Sequence, residues 1–497
     1  MRKNRWFNLA VSLSLILAGV FSAFPSHGED ISPNVATPVI PQNTAKITDF
    51  GAIGDGMTLN TDAFAKAIAS LSVQGGGELI VPPGLWLTGP IRLCSNLNLH
   101  LERGALIKFS KDFNLYPLTV FDMKGVKEVD SMSPIFGQDL ENVAITGEGI
   151  IDGGGDAWRP MKRDKETTND WEALVKSGGV LDKKGETWWP STNAMVGEKI
   201  VGQLRTNGVL TLEEYEPYHQ HLRPRMVRII GCKKVLLQGV TFENPPNWTL
   251  NPSQSEDVSI LNVNIHNSYA AQNSDALDLE SCRRVIIKDS TFDAGDDGIC
   301  LKSGKDAEGR RVGMPDEDIL VEGCTVYHAH GGFVIGSEMS GGVRNVRVDN
   351  CTFIGTDVGL RFKSMRGRGG VVEKIYISNV RMLDILNNAI DFNMFVYATK
   401  EEKKAPAPPA SEGTPKFQDI HIENVVCRGA DNAIVLVGLP EMPIRDIDFK
   451  NVSITSKGGV SLTDAEGIHF DNVHIENKSG PALKQVRVKD SSLDLVP

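Results

Sequence analysis

VLLQGVTF (235–242), VSILNVNI (258–265), VIIKDSTF (285–292), ILVEGCTV (319–326), VRVDNCTF (346–353), IYISNVRM (375–382), IHIENVVC (420–427), IDFKNVSI (447–454) and IHFDNVHI (468–475) share one pattern. Apolar residues alternate, an Asn, Gly or Asp interrupts, and a second apolar pair follows. Alternation of period two marks strands and excludes a helical solenoid. Successive starts differ by 23, 27, 34, 27, 29, 45, 27 and 21 residues. The short intervals suit one coil of a parallel β-helix, and the long ones suit a coil carrying an inserted loop. Coils of this kind grow by stacking, so 497 residues need not divide into several globular domains.

Outside the octets a second register appears: DALDLES (275–281), DGICLKS (297–303), GGFVIGS (331–337) and VGLRFKS (358–364). Leu277, Ile299, Phe333 and Leu360 form one apolar column, and Leu279, Leu301, Ile335 and Phe362 form another. Both should face inward. Asp278, Cys300, Val334 and Arg361 should then face outward, as should Glu280, Lys302, Gly336 and Lys363. Neighbouring strands lie about 4.7–4.9 Å apart, so column membership predicts distance. Asp275 and Asp297 share a column on adjacent coils, Asp296 sits one place earlier, and His330 stacks one coil beyond it. Arg361 and Lys363 rise from the same sheet two coils further on.

Such crowding has a chemical consequence. One carboxyl among like charges should keep its proton to higher pH, while its neighbours stay ionised. A protonated acid beside two carboxylates meets the requirement for glycoside hydrolysis, in which the acid protonates the leaving oxygen and the bases activate water. The cations of Arg361 and Lys363 can pair with a sugar carboxylate. Lys302, in the outward column of Lys363, is either a substrate contact or surface decoration. Taken singly, Asp and Asn in Gly-rich turns usually serve the backbone, and a lone His330 is more often structural. The stack of three carboxylates and one imidazole is what argues for chemistry.

The remaining chain frames this region. Arg2, Lys3 and Arg5 precede an apolar stretch from Trp6 to about Ala23, which reads as a signal peptide over 1–28 rather than a membrane anchor. The expected mature chain is therefore secreted or periplasmic, without stable membrane insertion. Residues 29–44 are polar and Pro-containing and read as a linker, with the β-helix catalytic domain over 45–497. TDAFAKAIASLS (61–72) carries apolar residues at helical spacing behind a Thr/Asp cap, fit to cover the open end of a solenoid. Helix signals are scarce thereafter. The largest insertions are 153–225, 304–318 and 401–417. A formal charge of −11 argues against nucleic acid. Seven cysteines leave at least one thiol unpaired. Cys232 and Cys282 lie two coils apart, too far for a disulfide, whereas Cys324 and Cys351 stack on adjacent coils and could pair or pack. No cysteine spacing suggests zinc, and no metal or cofactor is expected.

These residues resemble glycoside hydrolase family 28, the polygalacturonases. The family order of Asn-X-Asp, Gly-Asp-Asp, Gly-His-Gly and Arg-X-Lys stands here as Asn273-Ser274-Asp275, Gly295-Asp296-Asp297, Ala329-His330-Gly331 and Arg361-Phe362-Lys363. DFGAIGDG (49–56), IDGGGDAW (151–158), NPPNW (244–248) and GGFVIGSEMSGGVRNV (331–346) are similar too, so that the resemblance covers roughly residues 45–490. It implies an all-β, single-domain, right-handed parallel β-helix of the pectin-lyase-like kind, acting on pectin, polygalacturonate or oligogalacturonides as a monomer. It also implies inverting hydrolysis. Asp296 would be the acid, Asp275 and Asp297 would hold the water, and His330 would support the acid. Arg361 and Lys363 would bind the galacturonate carboxylate, Asn273 would also bind substrate, and Tyr397 would match an aromatic near the substrate. Phe362, Ala329 and Ser274 depart from the commonest pattern without removing a reacting group. The long insertions resemble those of exo-acting members. The alternatives are a rhamnogalacturonan hydrolase and a calcium-dependent pectate lyase on the same solenoid, with a non-catalytic binding solenoid as a third.

Overall fold

The computed structural model describes residues 31–496. The signal-peptide reading of 1–28 lies outside them. The nine octets stack in one register: Val235, Val258, Val285, Ile319, Val346, Ile375, Ile420, Ile447 and Ile468 are successive neighbours in parallel strands. The interrupting residue turns each coil from a first sheet into a second. Gly239, Asn262, Asp289, Gly323, Asn350, Asn379, Asn424, Asn451 and Asn472 all have positive φ, between 50° and 80°. Gly, Asn and Asp tolerate this left-handed conformation best. Asparagine adds a ladder along the axis. The amide of Asn472 donates to Asn451 Oδ1 (2.8 Å), Asn451 to Asn424 (3.1 Å), Asn424 to Asn379 (3.3 Å), and Asn379 to Asp349 Oδ1 (2.7 Å).

The second register forms a third sheet, with Leu277, Ile299, Phe333 and Leu360 paired in order and fully buried. Phe362 points inward as expected and stacks on Phe392, with ring centroids 4.1 Å apart. The solenoid also begins earlier than the quoted octets. Gly77–Val81, Leu97–Leu101 and Glu141–Gly147 continue the first sheet upstream. Their pattern is harder to see because the corner after Leu97–Leu101 is longer, the next strand starting only at Ala105.

The helix Thr61–Val73 buries Ala63, Phe64, Ala67, Ile68 and Leu71 against the first coils. Its cap differs from expectation. Asn60 occupies the N-cap position, but its side chain serves the backbone of Ile53, Thr58 and Leu87, and Thr61 Oγ1 accepts from Gly89 N instead. The described part of the 29–44 segment makes specific contacts with the coils. Val39 N donates to Asn142 and Ala36 N to Asp257, so the segment is docked on coils two apart, and Thr44–Lys46 pairs with Glu78–Ile80.

The few helices after residue 72 lie mainly in the insertions. The insertion 153–225 holds Thr168–Lys176 and Thr192–Thr206, started by the side chains of Thr167 and Ser191 accepting from Asp170 N and Ala194 N. It also holds a small antiparallel sheet centred on Thr187–Trp189. An antiparallel hairpin, Leu118–Met123 with Val126–Ser131, is a further excursion the octet pattern does not reveal. These excursions are tied together. Arg311 donates to Gly125 O of the hairpin, and Arg310 bonds Gly367 O (2.6 Å) and Glu412 (3.3 Å). Arg368 pairs with Asp306 in the short helix Asp306–Val312. All seven cysteines are free thiols. Cys324 and Cys351 pack side by side, each Sγ turned to a backbone carbonyl.

Candidate active site

Stacking brings the predicted carboxylates together. Ala276 N donates to Asp297 O, and His330 N donates to Asp296 O, which fixes Asp275, Asp297 and His330 on consecutive rungs. Oxygens of Asp275, Asp296 and Asp297 lie within 4.8 Å of one another. Asp275 and Asp297 are almost wholly buried, at 3% and 2% exposure, whereas the Asp296 side chain is partly open. His330 Nδ1 lies 3.1 Å from Asp296 Oδ1, and its Nε2 lies 3.8 Å from Asp357.

The cations are closer to the carboxylates than the outward columns alone imply. Lys363 Nζ is 2.6 Å from Asp297 Oδ2, and Arg361 is 3.6 Å from Asp297 Oδ1. Arg361 also donates to His330 O. Lys302 is neither surface decoration nor open to the cleft. It is 5% exposed, 2.7 Å from Asp278 and 3.4 Å from Asp275, with its ammonium 3.6 Å from the centre of the Trp248 ring. Arg225 covers Trp248 as well, at 4.7 Å.

These surroundings divide the acids. Burial pushes Asp275 well above the ordinary carboxylate range, and Asp278 and Asp296 add repulsion that Lys302 only partly offsets. Burial likewise lifts Asp278 to about 7 against the pull of Lys302. Asp297 goes the other way. Burial acts to raise it, but Lys363, Arg361 and Lys302 outweigh that and hold it ionised. The cluster thus sets carboxyls of opposite tendency on adjacent rungs, Asp275 favouring its proton and Asp297 its charge. Such a pair can hold a water and take its proton. With four carboxylates facing Lys302, Arg361 and Lys363, the charge a cation would seek is already largely balanced.

The other candidates are placed as follows. Asn273 is exposed with a left-handed backbone (φ 54°), and its Oδ1 accepts from Arg223 Nη2 at 2.7 Å. Tyr397 is 60% exposed, in a turn where Val396 N donates to Ser364 O, just past Lys363.

Several residues at the site carry no role in the sequence reading. Asp278 sits in the outward column yet is fully buried beneath Lys302, and its place three residues after Asp275 was the available signal. Trp248 lies in the quoted NPPNW. Arg223 and Lys165 come from the 153–225 insertion, which has no repeat to give them a register. Lys165 Nζ donates to Tyr269 O and lies 4.0 Å from the Tyr269 ring.

The family described as glycosyl hydrolases family 28 matches residues 167–480. A probable polygalacturonase of Vitis vinifera is 28% identical, over 86% of this chain and 78% of its own length. An exo-poly-α-D-galacturonosidase of Dickeya chrysanthemi is 27% identical, over 92% of this chain and 75% of its own. The crystal structure of a hyperthermoactive exopolygalacturonase from Thermotoga maritima superposes with a TM-score of 0.76 at 33% identity. That match covers 90% of this chain and 95% of the other.

Proposed function

The chain belongs to glycosyl hydrolases family 28, and from that premise we propose that it hydrolyses the α-1,4-galacturonosidic linkages of polygalacturonate from a chain end. The observation that carries this reading is the division of charge around Asp296: Asp275 lifted by burial on one rung, Asp297 held ionised on the next. Asp296, the more open carboxyl, donates its proton to the leaving glycosidic oxygen, with His330 holding its Oδ1 side. Water bound between Asp275 and Asp297 attacks the anomeric carbon as the old C–O bond breaks. Asp297 takes the water's proton.

Burial supports inversion over retention. Closest carboxyl oxygens within 4.8 Å are nearer than in most inverting pairs, which lie about 6.5–9.5 Å apart. Yet Asp275 and Asp297 are too covered to reach a sugar carbon except through water. Arg361 and Lys363, 3.6 and 2.6 Å from Asp297, bind the galacturonate carboxylate while continuing to keep Asp297 ionised. Asn273 and Tyr397 are assigned to the bound sugar as well, and Lys302 acts from beneath, by setting the charge of Asp275.

Attack at a chain end is supported by the bonds that tie the long excursions together, joining the hairpin 118–131, the 304–318 loop, the 365–370 loop and Glu412. The names of the Dickeya chrysanthemi and Thermotoga maritima proteins agree with that reading. No helix among the described residues is long and apolar enough to cross a membrane. Residues 1–28 are proposed as the signal that exports the chain, which acts as a monomer because one copy supplies the whole cluster. Digestion of a long oligogalacturonide, with products sized early, tests the proposal. End-unit release abolished by Asp296→Asn is expected. Intermediate oligomers would reject chain-end attack, and wild-type turnover by Asp296→Asn would reject the mechanism.

A further inference from the structure

The cations that surround the carboxylate cluster fall into two groups. Arg361, Lys363 and Lys302 are each committed to an aspartate. Arg225 and Arg228, further out, are committed to Glu128. Arg223 and Lys165 differ. Neither forms an ion pair among the described residues. Arg223 spends its donors on neutral acceptors, Gln272 O at 3.0 Å and Asn273 Oδ1 at 2.7 Å, and Lys165 spends one on Tyr269 O at 3.1 Å. Both therefore grip the same short loop, 269–273, which leads directly into Asp275.

Their position is also distinctive. Arg361 and Lys363 rise from a coil downstream of Asp297, whereas the 269–273 loop belongs to the Asp275 coil, at the upstream edge of the cluster. The charges of Asp275, Asp130 and Asp296 act on Arg223, and those of Asp357 and Asp296 act on Lys165. Asp296 thus has cations on both flanks, and only the upstream pair lacks a carboxylate partner. A half-buried cation left without one is costly unless a ligand supplies it.

The geometry points to a second uronate-binding subsite, built from Arg223 and Lys165, that takes the carboxylate of the sugar across the scissile bond from the one held by Arg361 and Lys363. This rests on the galacturonan reading above and narrows it. A backbone with an acidic sugar on each side of the cut satisfies both cationic flanks. An alternating backbone, with a neutral deoxy sugar on one side, leaves Arg223 and Lys165 unpaired. The exposed ring of Tyr269, beneath Lys165, offers that second sugar an apolar face. The 153–225 insertion thereby supplies selection for homogalacturonan as well as bulk.

The test compares galacturonate with digalacturonate as ligands of the inactive Asp296→Asn protein by titration calorimetry. Adding Arg223→Gln should cut the preference for digalacturonate over galacturonate at least about tenfold, as expected for loss of a charge-assisted pair. Lys165→Gln should act in the same direction. Arg223→Lys, which keeps the charge but cannot grip both acceptors, should restore part of the preference, and it also serves if the Gln variant fails to fold. An unchanged ratio in a protein that melts like its parent overturns the subsite, and so does an equal loss for both ligands. Failure of the parent to bind either saccharide would instead overturn the galacturonan reading.

Discussion

Lys363 reaches across two coils to place its ammonium 2.6 Å from Asp297 Oδ2. The contact keeps a buried carboxylate ionised, so the two side chains titrate as one unit. Lys363→Met should lower kcat/KM by about a hundredfold or more. Because Lys363 depresses the Asp297 titration, its loss should move the acid limb of the pH–rate profile upward, by about one pH unit or more. An unmoved acid limb would show that Asp297 does not govern it.

Asp278 supplies a stability prediction of opposite sign. Its folded value, about 7, lies above its ordinary value. The stability it lends is therefore complete at low pH and lost as pH climbs through about 7. The melting temperature of wild type minus that of Asp278→Asn should fall steadily between about pH 4 and pH 7. A flat difference would contradict the burial argument.

Chelation should leave activity intact. Lys302, Arg361 and Lys363 already partner the carboxylates that a calcium ion would need. Dialysis against EDTA followed by a reducing-sugar assay checks this, and an ultraviolet-absorbing unsaturated product would point instead to elimination.

Arg310 joins the 304–318 loop to the 365–370 loop and to Glu412. Arg310→Ala should loosen that bridge and shift early products from single end units toward mixed oligomers, with Asp296-dependent chemistry retained. Chromatographic sizing of the first products reads the change.

The asparagine ladder predicts a local cost. Asn424→Ala should lose roughly 3–4 kcal/mol of stability, about 1–2 from the left-handed backbone and about 1 from each of its two ladder hydrogen bonds. Asn424→Gly keeps the backbone and should lose only about 2 kcal/mol. Urea midpoints of the two variants distinguish the contributions.

Most of the fold was legible because repetition converts spacing into distance. The columns of the third sheet placed Asp275, Asp297, Arg361 and Lys363 correctly, and Phe362 inward. What repetition could not reach was the non-repeating chain. The helices of 153–225, the hairpin 118–131 and the docked segment before Thr44 have no register, so Arg223 and Lys165 were invisible as site residues. Outward-facing also proved different from exposed. Asp278 and Lys302 leave the coil on its outer side, yet Trp248 and the excursions cover them. Their effect on Asp275 depends on that cover, which period-two alternation does not report.

Each excursion departs from a corner of the coil and returns without shifting the strands that follow. The Asp275 and Asp297 rungs therefore do not sense how long the rim has grown. Strand register and rim length are mechanically decoupled in such a molecule: an engineer could lengthen or exchange the 304–318 segment and expect the rungs to keep their places, whereas exchanging 153–225 would also remove Arg223 and Lys165 from the loop that leads into Asp275.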